Sequence, residues 1–270
     1  MSTPAVQPPP IGVFDSGAGG LSIAAAIHDM LPGQAISYFA DTAFAPYGVR
    51  SEAEILQRTE TCCRRLLGRP LAALVVASNT ATASAIDALR RWVPVPVIGV
   101  EPGLKPAAKI SPSGVVGVLA TRATLASRRY RELLERVGRE AQDVRFVEQA
   151  GDGWVELVEA GELDTVHART LVRSAVQPLL DQGADTLVLG CTHYPFLHRA
   201  IAQVAGAIPV IETGPAVARE LARRLDLPAA PAGGTAGAAA GGWTFLTSAD
   251  DERFAALAAR LLPVLARADQ

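Results

Sequence analysis

The chain has 270 residues, enough for two domains or one large α/β domain, and 49% of them are hydrophobic against 19% charged, which excludes global disorder. A net charge of −2 without a basic stretch gives no field for gripping nucleic acid. There is no apolar run of about 18 residues or more, so no membrane span is expected.

The opening "MSTPAVQPPP" lacks a charged and apolar leader and reads as a flexible Pro-rich tail over residues 1–10. The odd set of thiols, Cys62, Cys63 and Cys191, then suits free cysteines in a reducing cytoplasm. Strand-like runs follow at "IGVFD" (11–15), "ISYFAD" (36–41), "LAALVVAS" (71–78) and "VPVIGV" (95–100). Ser51 with Glu54 three residues on forms a capping-box pattern, predicting a helix from Ser51 to about Leu67, stopped by Gly68 and Pro70. The second half repeats the plan with "GVVGVLAT", "DVRFVEQA", "DTLVLGCT" and "IPVIET". A low-complexity stretch over 228–242 predicts a mobile loop, "WTFLTSAD" a strand and turn, and residues 254–266 an amphipathic helix.

The halves align on each other. Ser78 falls over Cys191, and Pro96 over Pro209, at the same separation in both cases. Gly12 falls over Gly117 at a somewhat shorter one. The expectation is an α/β protein of two pseudo-symmetric doubly wound domains, with the active site in the cleft between them. The first domain would take residues 1–99 plus 210–270, and the second residues 100–209.

In open α/β sheets ligands sit beyond the carboxyl ends of the strands. The polar clusters fall there: Asp15-Ser16, Asp41-Thr42, Pro46-Tyr47-Gly48, Ser78-Asn79-Thr80, Thr121 and Cys191-Thr192-His193. Gly17, Gly19 and Gly20 after the first strand suggest a dinucleotide fold, with Asp41 as the ribose-binding acid. Ser22 occupies the third glycine position, however, and Asp15 sits where a pyrophosphate would approach, so close backbone approach to a small acidic ligand is the better reading. Cys191 and His193 lack further partners at zinc-ligand spacing, so no metal is expected. Cys62 and Cys63 lie mid-helix and read as packing; His28, His167 and His198 read as ordinary helix residues. A Schiff-base cofactor has only Lys105 or Lys109 to use and no phosphate cup around them, so no cofactor is expected. Two mirrored strand-end groups suit removal of an α-carbon proton on one face and its replacement on the other. Hydroxyl and amide donors would hold the carbanion's charge.

The motifs "IGVFDSGAGGLS", "YFADTAFAPYG", "VVASNTAT", "VIGVEPGLKPA", "GVLATRAT", "LVE" (157–159), "LVLGCTHYPFL" and "VIETGPAVA" closely resemble those of the glutamate racemase family, cofactor-independent enzymes that supply D-glutamate for peptidoglycan. The resemblance implies that Cys191 exchanges the α-proton on the L-glutamate face, assisted by His193. Glu159 would help near that cysteine, and Asp15 would assist the group at position 78. It further implies that Ser16, Pro46, Tyr47, Gly48, Asn79, Thr80, Thr121 and Thr192 hold the substrate's amino and carboxylate groups, and that the protein forms a homodimer. The family pattern has cysteine at position 78, where this chain has Ser78. Two readings stay open: one silenced base in an otherwise intact site, or a single-cysteine member acting from one face, as arylmalonate decarboxylase does. A glutamate-binding protein without catalysis is the rival from outside enzymology.

Overall fold

The computed structural model describes residues 8–228 and 241–265. Of the tail expected over 1–10, residues 1–7 lie outside those residues, as do 229–240 of the loop expected over 228–242 and Ala266 of the helix expected over 254–266.

Among the described residues the strands are β1 (Ile11–Asp15), β2 (Ile36–Ala40), β3 (Ala73–Val76), β4 (Val97–Gly99), β5 (Val115–Ala120), β6 (Arg145–Ala150), β7 (Thr186–Leu189), β8 (Val210–Ile211) and β9 (Trp243–Thr247). One sheet runs in the order β4-β3-β1-β2-β9 and the other in the order β6-β5-β7-β8. All neighbouring pairs are parallel. Without β9 the two orders are the same pattern, with β5 taking the place of β1 and β7 that of β3. The chain is an α/β protein built from one arrangement used twice. The added β9 pairs with β2, Ile36 opposite Trp243.

Alternation along the buried strands sends side chains to both faces of each sheet. Val13, Tyr38 and Val75 join the cluster containing helices Leu21–Met30, Gly214–Leu225 and Asp251–Leu265. Phe14, Phe39, Leu74 and Val76 point the other way, onto helices Glu52–Leu66 and Asn79–Trp92. In the second sheet Leu119, Val147, Leu187 and Leu189 belong to the same cluster as Val13, so one apolar core runs through both halves. Val116, Val118 and Val188 pack instead on Tyr130, Leu133 and Val137 of helix Arg128–Glu140.

The capping box forms as its sequence requires: Glu54 N–H donates to Ser51 Oγ at 3.3 Å, and Ser51 N–H donates to Glu54 Oε2 at 2.9 Å. Cys62 and Cys63 are buried in that helix's packing face. Burial pushes the Cys62 thiol up to about 12 and raises Cys63 as well, so neither is poised to react. One boundary differs from expectation. Residues 210–211 were assigned to the first domain, yet β8 pairs with β7 through Leu187 opposite Val210, in the second sheet. A two-residue strand is placed by its partner, which its own sequence does not reveal.

Candidate active site

Each sheet reverses its winding beside its central strand, between β1 and β3 in one and between β5 and β7 in the other. A crevice opens beyond the carboxyl ends at such a switch point. Asp15 and Ser16 follow β1, Ser78 follows β3, Thr121 follows β5 and Cys191 follows β7. The topology therefore explains why the chemically interesting residues come at the ends of those four strands.

Around Cys191 a connected chain of side chains has formed. Cys191 Sγ lies 3.8 Å from His193 Nδ1, and His193 Nε2 lies 2.8 Å from Glu159 Oε1. Glu159 projects from helix Trp154–Ala160, which is anchored by Trp154 stacking edge-on against Tyr194, three residues past Cys191. The same carboxylate oxygen accepts the N–H of Ala18 at 2.9 Å, so it joins the β1 loop to the β7 loop. Burial pulls the His193 imidazole down, but hydrogen bonds to Cys191 and Glu159, with their charge, outweigh it and hold its pKa well above the ordinary value. Burial likewise pushes Glu159 up, and His193 more than offsets it, leaving the carboxyl below its ordinary range.

The glycine-rich loop serves this chain of groups. A Cβ on Gly17 would fall 2.3 Å from Glu159 Oε1, and one on Gly19 2.3 Å from His193 Nδ1. On the side where a Cβ would stand, the loop packs directly on the protein's own His193 and Glu159. Ser22, where a dinucleotide fold would need glycine, has its hydroxyl 2.7 Å from Thr192 O and 2.9 Å from Gly19 O. It fastens the loop to the residue after Cys191.

On the other half, Ser78 is buried and caps helix Asn79–Trp92, its Oγ accepting Ala81 N–H at 3.3 Å. Asp15 is buried too; its Oδ2 accepts Gly17 N–H at 2.9 Å while Oδ1 has no protein partner. Burial raises the Asp15 carboxyl against the charge of His193 and the N–H of Gly17. Asp15 and Ser78 end adjacent strands but make no hydrogen bond to each other. Asn79 Nδ2 donates to Gly190 O at 2.6 Å across the cleft, next to Cys191, and Asn79 Oδ1 is buried without a partner.

Tyr47, Gly48, Asn79 and Thr80 line a cavity of about 230 Å³ at the cleft, shared with Thr124 and Arg129. Cys191 and Thr192 instead border a separate cavity of about 540 Å³. Two expected substrate holders have their side chains engaged elsewhere. Tyr47 OH donates to Asp41 Oδ2 at 2.7 Å, so Tyr47 offers a ligand its backbone only. Thr121 Oγ1 donates to Thr124 Oγ1 at 3.0 Å and accepts Thr124 N–H at 3.1 Å, capping helix Arg122–Ala126. Ser22 closes the "IGVFDSGAGGLS" motif without a sign of its contact to Thr192, and Arg58, which holds Asp41, lies in no motif and reads as an ordinary polar helix residue. Three or more metal-binding side chains do not cluster anywhere among the described residues, and no described helix is long and apolar enough to cross a membrane.

The Asp/Glu/Hydantoin racemase family matches residues 20–221 of this chain. A glutamate racemase of Methylococcus capsulatus is 54% identical over 218 residues, covering 80% of this chain and 79% of that protein. One from Pseudomonas paraeruginosa is 46% identical over 263 residues, covering 97% and 95% respectively. Among solved structures, a Bacillus anthracis glutamate racemase superposes with a TM-score of 0.82 at 33% identity, covering 96% of this chain and 95% of that one. The Escherichia coli glutamate racemase, solved with L-glutamate and an activator, gives 0.78 at 34% identity, covering 97% and 96%. With a family match over most of its length and relatives of this identity, the chain belongs to the Asp/Glu/Hydantoin racemase family.

Proposed function

We propose that this protein acts on glutamate as a cofactor-independent racemase whose Cys191 face is complete and whose Ser78 face is impaired. The observation that carries the reading is the linked series Cys191–His193–Glu159, held against the β1 loop. Glutamate is the substrate because the named relatives are glutamate racemases and one of them was solved with L-glutamate bound.

In this reading the Cys191 thiolate takes the α-proton of L-glutamate, forming S–H as the C–H bond breaks. His193, backed by Glu159, stands beside the sulfur to assist the transfer. Backbone N–H groups at Tyr47 and Gly48 and the side chains of Asn79, Thr80 and Thr192 hold the substrate and the developing negative charge. To complete inversion, Ser78 would give its hydroxyl proton to the opposite face and be left as an alkoxide. A thiol has a pKa of about 8.5, and an alcohol is far weaker as an acid, so this step is slow. The reverse reaction is worse, because D-glutamate needs a base at Ser78 before its α-proton can leave.

The test is proton exchange in deuterated water followed by NMR. The chain should exchange the α-proton of L-glutamate through Cys191 while D-glutamate exchanges orders of magnitude more slowly. Ser78→Cys should then interconvert both enantiomers quickly. Fast racemisation by the unaltered chain would show that Ser78 does not limit the reaction. Absence of exchange in both proteins, with glutamate still bound, would favour a binding protein instead.

A further inference from the structure

The Tyr47–Val49 turn follows Asp41 by six residues and borders the cleft cavity. Tyr47 and Gly48 open a 3-10 turn, so their N–H groups have no acceptor inside it and are available to an anion. A donor pair of this kind is useful only when held still. Within the turn only the Arg50 N–H to Tyr47 O bond at 3.0 Å holds it. Further hold on it comes from behind, through the Tyr47 ring and hydroxyl.

Tyr47 is buried, packs against Phe14 and Phe44, and donates its O–H to Asp41 Oδ2 at 2.7 Å. Asp41 is wholly buried at the end of β2, and its own N–H donates to Asp15 O at 2.9 Å. Its carboxylate is held by a fork from Arg58 on helix Glu52–Leu66: Nε to Oδ2 at 2.6 Å and Nη2 to Oδ1 at 2.6 Å. Arg58 is part-exposed and does not line the cleft cavity, and its guanidinium lies 5.4 Å from the centre of the Phe44 ring. Arg50 closes the other end of the loop, its Nη2 donating to Phe44 O at 3.3 Å. A bidentate guanidinium fixes a carboxylate in plane and direction, which a point charge does not.

We propose that Arg58 is a positioning residue for the substrate's carboxylate: it fixes Asp41, Asp41 fixes Tyr47, and Tyr47 aims the N–H groups of Tyr47 and Gly48 into the cleft. The assignment rests on the glutamate reading of the same site. It uses no contact between Arg58 and the substrate.

The test is titration calorimetry of L-glutamate into the full chain, Arg58→Met, Arg58→Lys and, as a control on the same helix, Arg64→Met. Arg64 pairs with Glu60 and stacks over Trp92, away from Asp41. Binding to Arg58→Met should weaken by about tenfold or more, since a misaimed donor pair loses much of its effect. Arg58→Lys should fall between, and Arg64→Met should match the parent. If Arg58→Met does not fold, Arg58→Lys carries the same comparison with the parent and with Arg64→Met. A variant that melts earlier but binds glutamate as tightly as the parent overturns the assignment alone. A parent chain that binds no glutamate overturns the glutamate reading and this assignment with it.

Discussion

Replacing Gly19 by alanine tests whether the glycine-rich loop exists for His193. The added Cβ would fall 2.3 Å from His193 Nδ1, 2.5 Å from Cε1 and 2.7 Å from Thr192 Oγ1. Ordinary contact needs about 3.5 Å, so something must move by about 1 Å. The loop cannot yield easily: Gly19 O is held by the Ser22 N–H at 3.1 Å and by the Ser22 hydroxyl, and Ala18 N–H is held by Glu159. His193 is fixed from both ends, by Cys191 and Glu159, and any shift of the ring breaks one of those contacts. A misplacement of about 1 Å in a reacting group lowers rate by about a hundredfold. Overpacking of this kind costs about 1–3 kcal/mol of stability. The assay is the rate of deuterium exchange at the α-carbon of L-glutamate, with a thermal melt on the same sample. Gly33→Ala is the control, because nothing lies within 4 Å of its Cβ, and it should stay within about 0.5 kcal/mol of the parent. A Gly19→Ala protein that exchanges within about threefold of the parent would refute the argument, because a 1 Å shift cannot be so cheap.

Glu159→Gln should slow exchange of L-glutamate by between about tenfold and a hundredfold and move its pH optimum toward acid, since His193 loses the charge that keeps it protonated. The stability of the pair has a defined window. The raised His193 pKa contributes below the unfolded value and is lost as pH rises through the folded one, while the lowered Glu159 pKa contributes above its unfolded value and is lost as pH falls through the folded one. The melting difference between parent and variant should therefore be greatest between those limits and shrink on either side. Asp185 offers a test away from the site: burial opposes its ionisation, but Ser111 Oγ and Ser113 N–H at 2.6 Å each bring its pKa down to about 2. Its contribution is present above the ordinary carboxylate value and lost as pH falls toward about 2, so Asp185→Asn should melt earlier than the parent at neutral pH and converge with it in strong acid.

What could be read from the sequence is what local physics decides. Buried strands announce themselves as apolar runs, and the Ser51–Glu54 capping box is a contact between neighbours. The repeated strand order follows from a repeated sequence plan. The site's wiring is of another kind. Ala18 meets Glu159 across 141 residues of chain, and Ser22 meets Thr192 across 170. Position along the chain does not disclose such contacts, and nothing in the spacing of Gly17 and Gly19 points to Glu159 and His193. Arg58 was equally hidden: on a helix whose buried face is Ile55, Thr59 and Cys62, an arginine reads as solvent-facing until the end of β2 is placed beside it. Glu159 is named by the family resemblance alone, since "LVE" has no chemical signature of its own.

The two halves share a strand order but treat their strand-end residues differently, and that difference bears on why position 78 can hold serine. After β7 the chain enters the 3-10 turn Tyr194–Leu197, so Cys191 caps nothing and its sulfur is free to meet His193. After β3 the chain enters helix Asn79–Trp92 at once, and Ser78 is its N-cap. Serine is among the best residues for that position, whereas a thiol accepts a hydrogen bond weakly. The two demands on position 78, a helix cap and a proton-transfer group, pull toward different side chains. Ser78→Cys should gain racemisation and lose about 0.5–2 kcal/mol of stability, at the lower end because the Ala81 N–H contact is long at 3.3 Å. Ser78→Ala should lose the cap without the gain. Thermal melts of the three proteins, run beside the exchange assay, decide the matter. If Ser78→Cys melts no earlier than the parent while Ser78→Ala does, the thiol caps the helix adequately, and stability gives no reason for serine at this position.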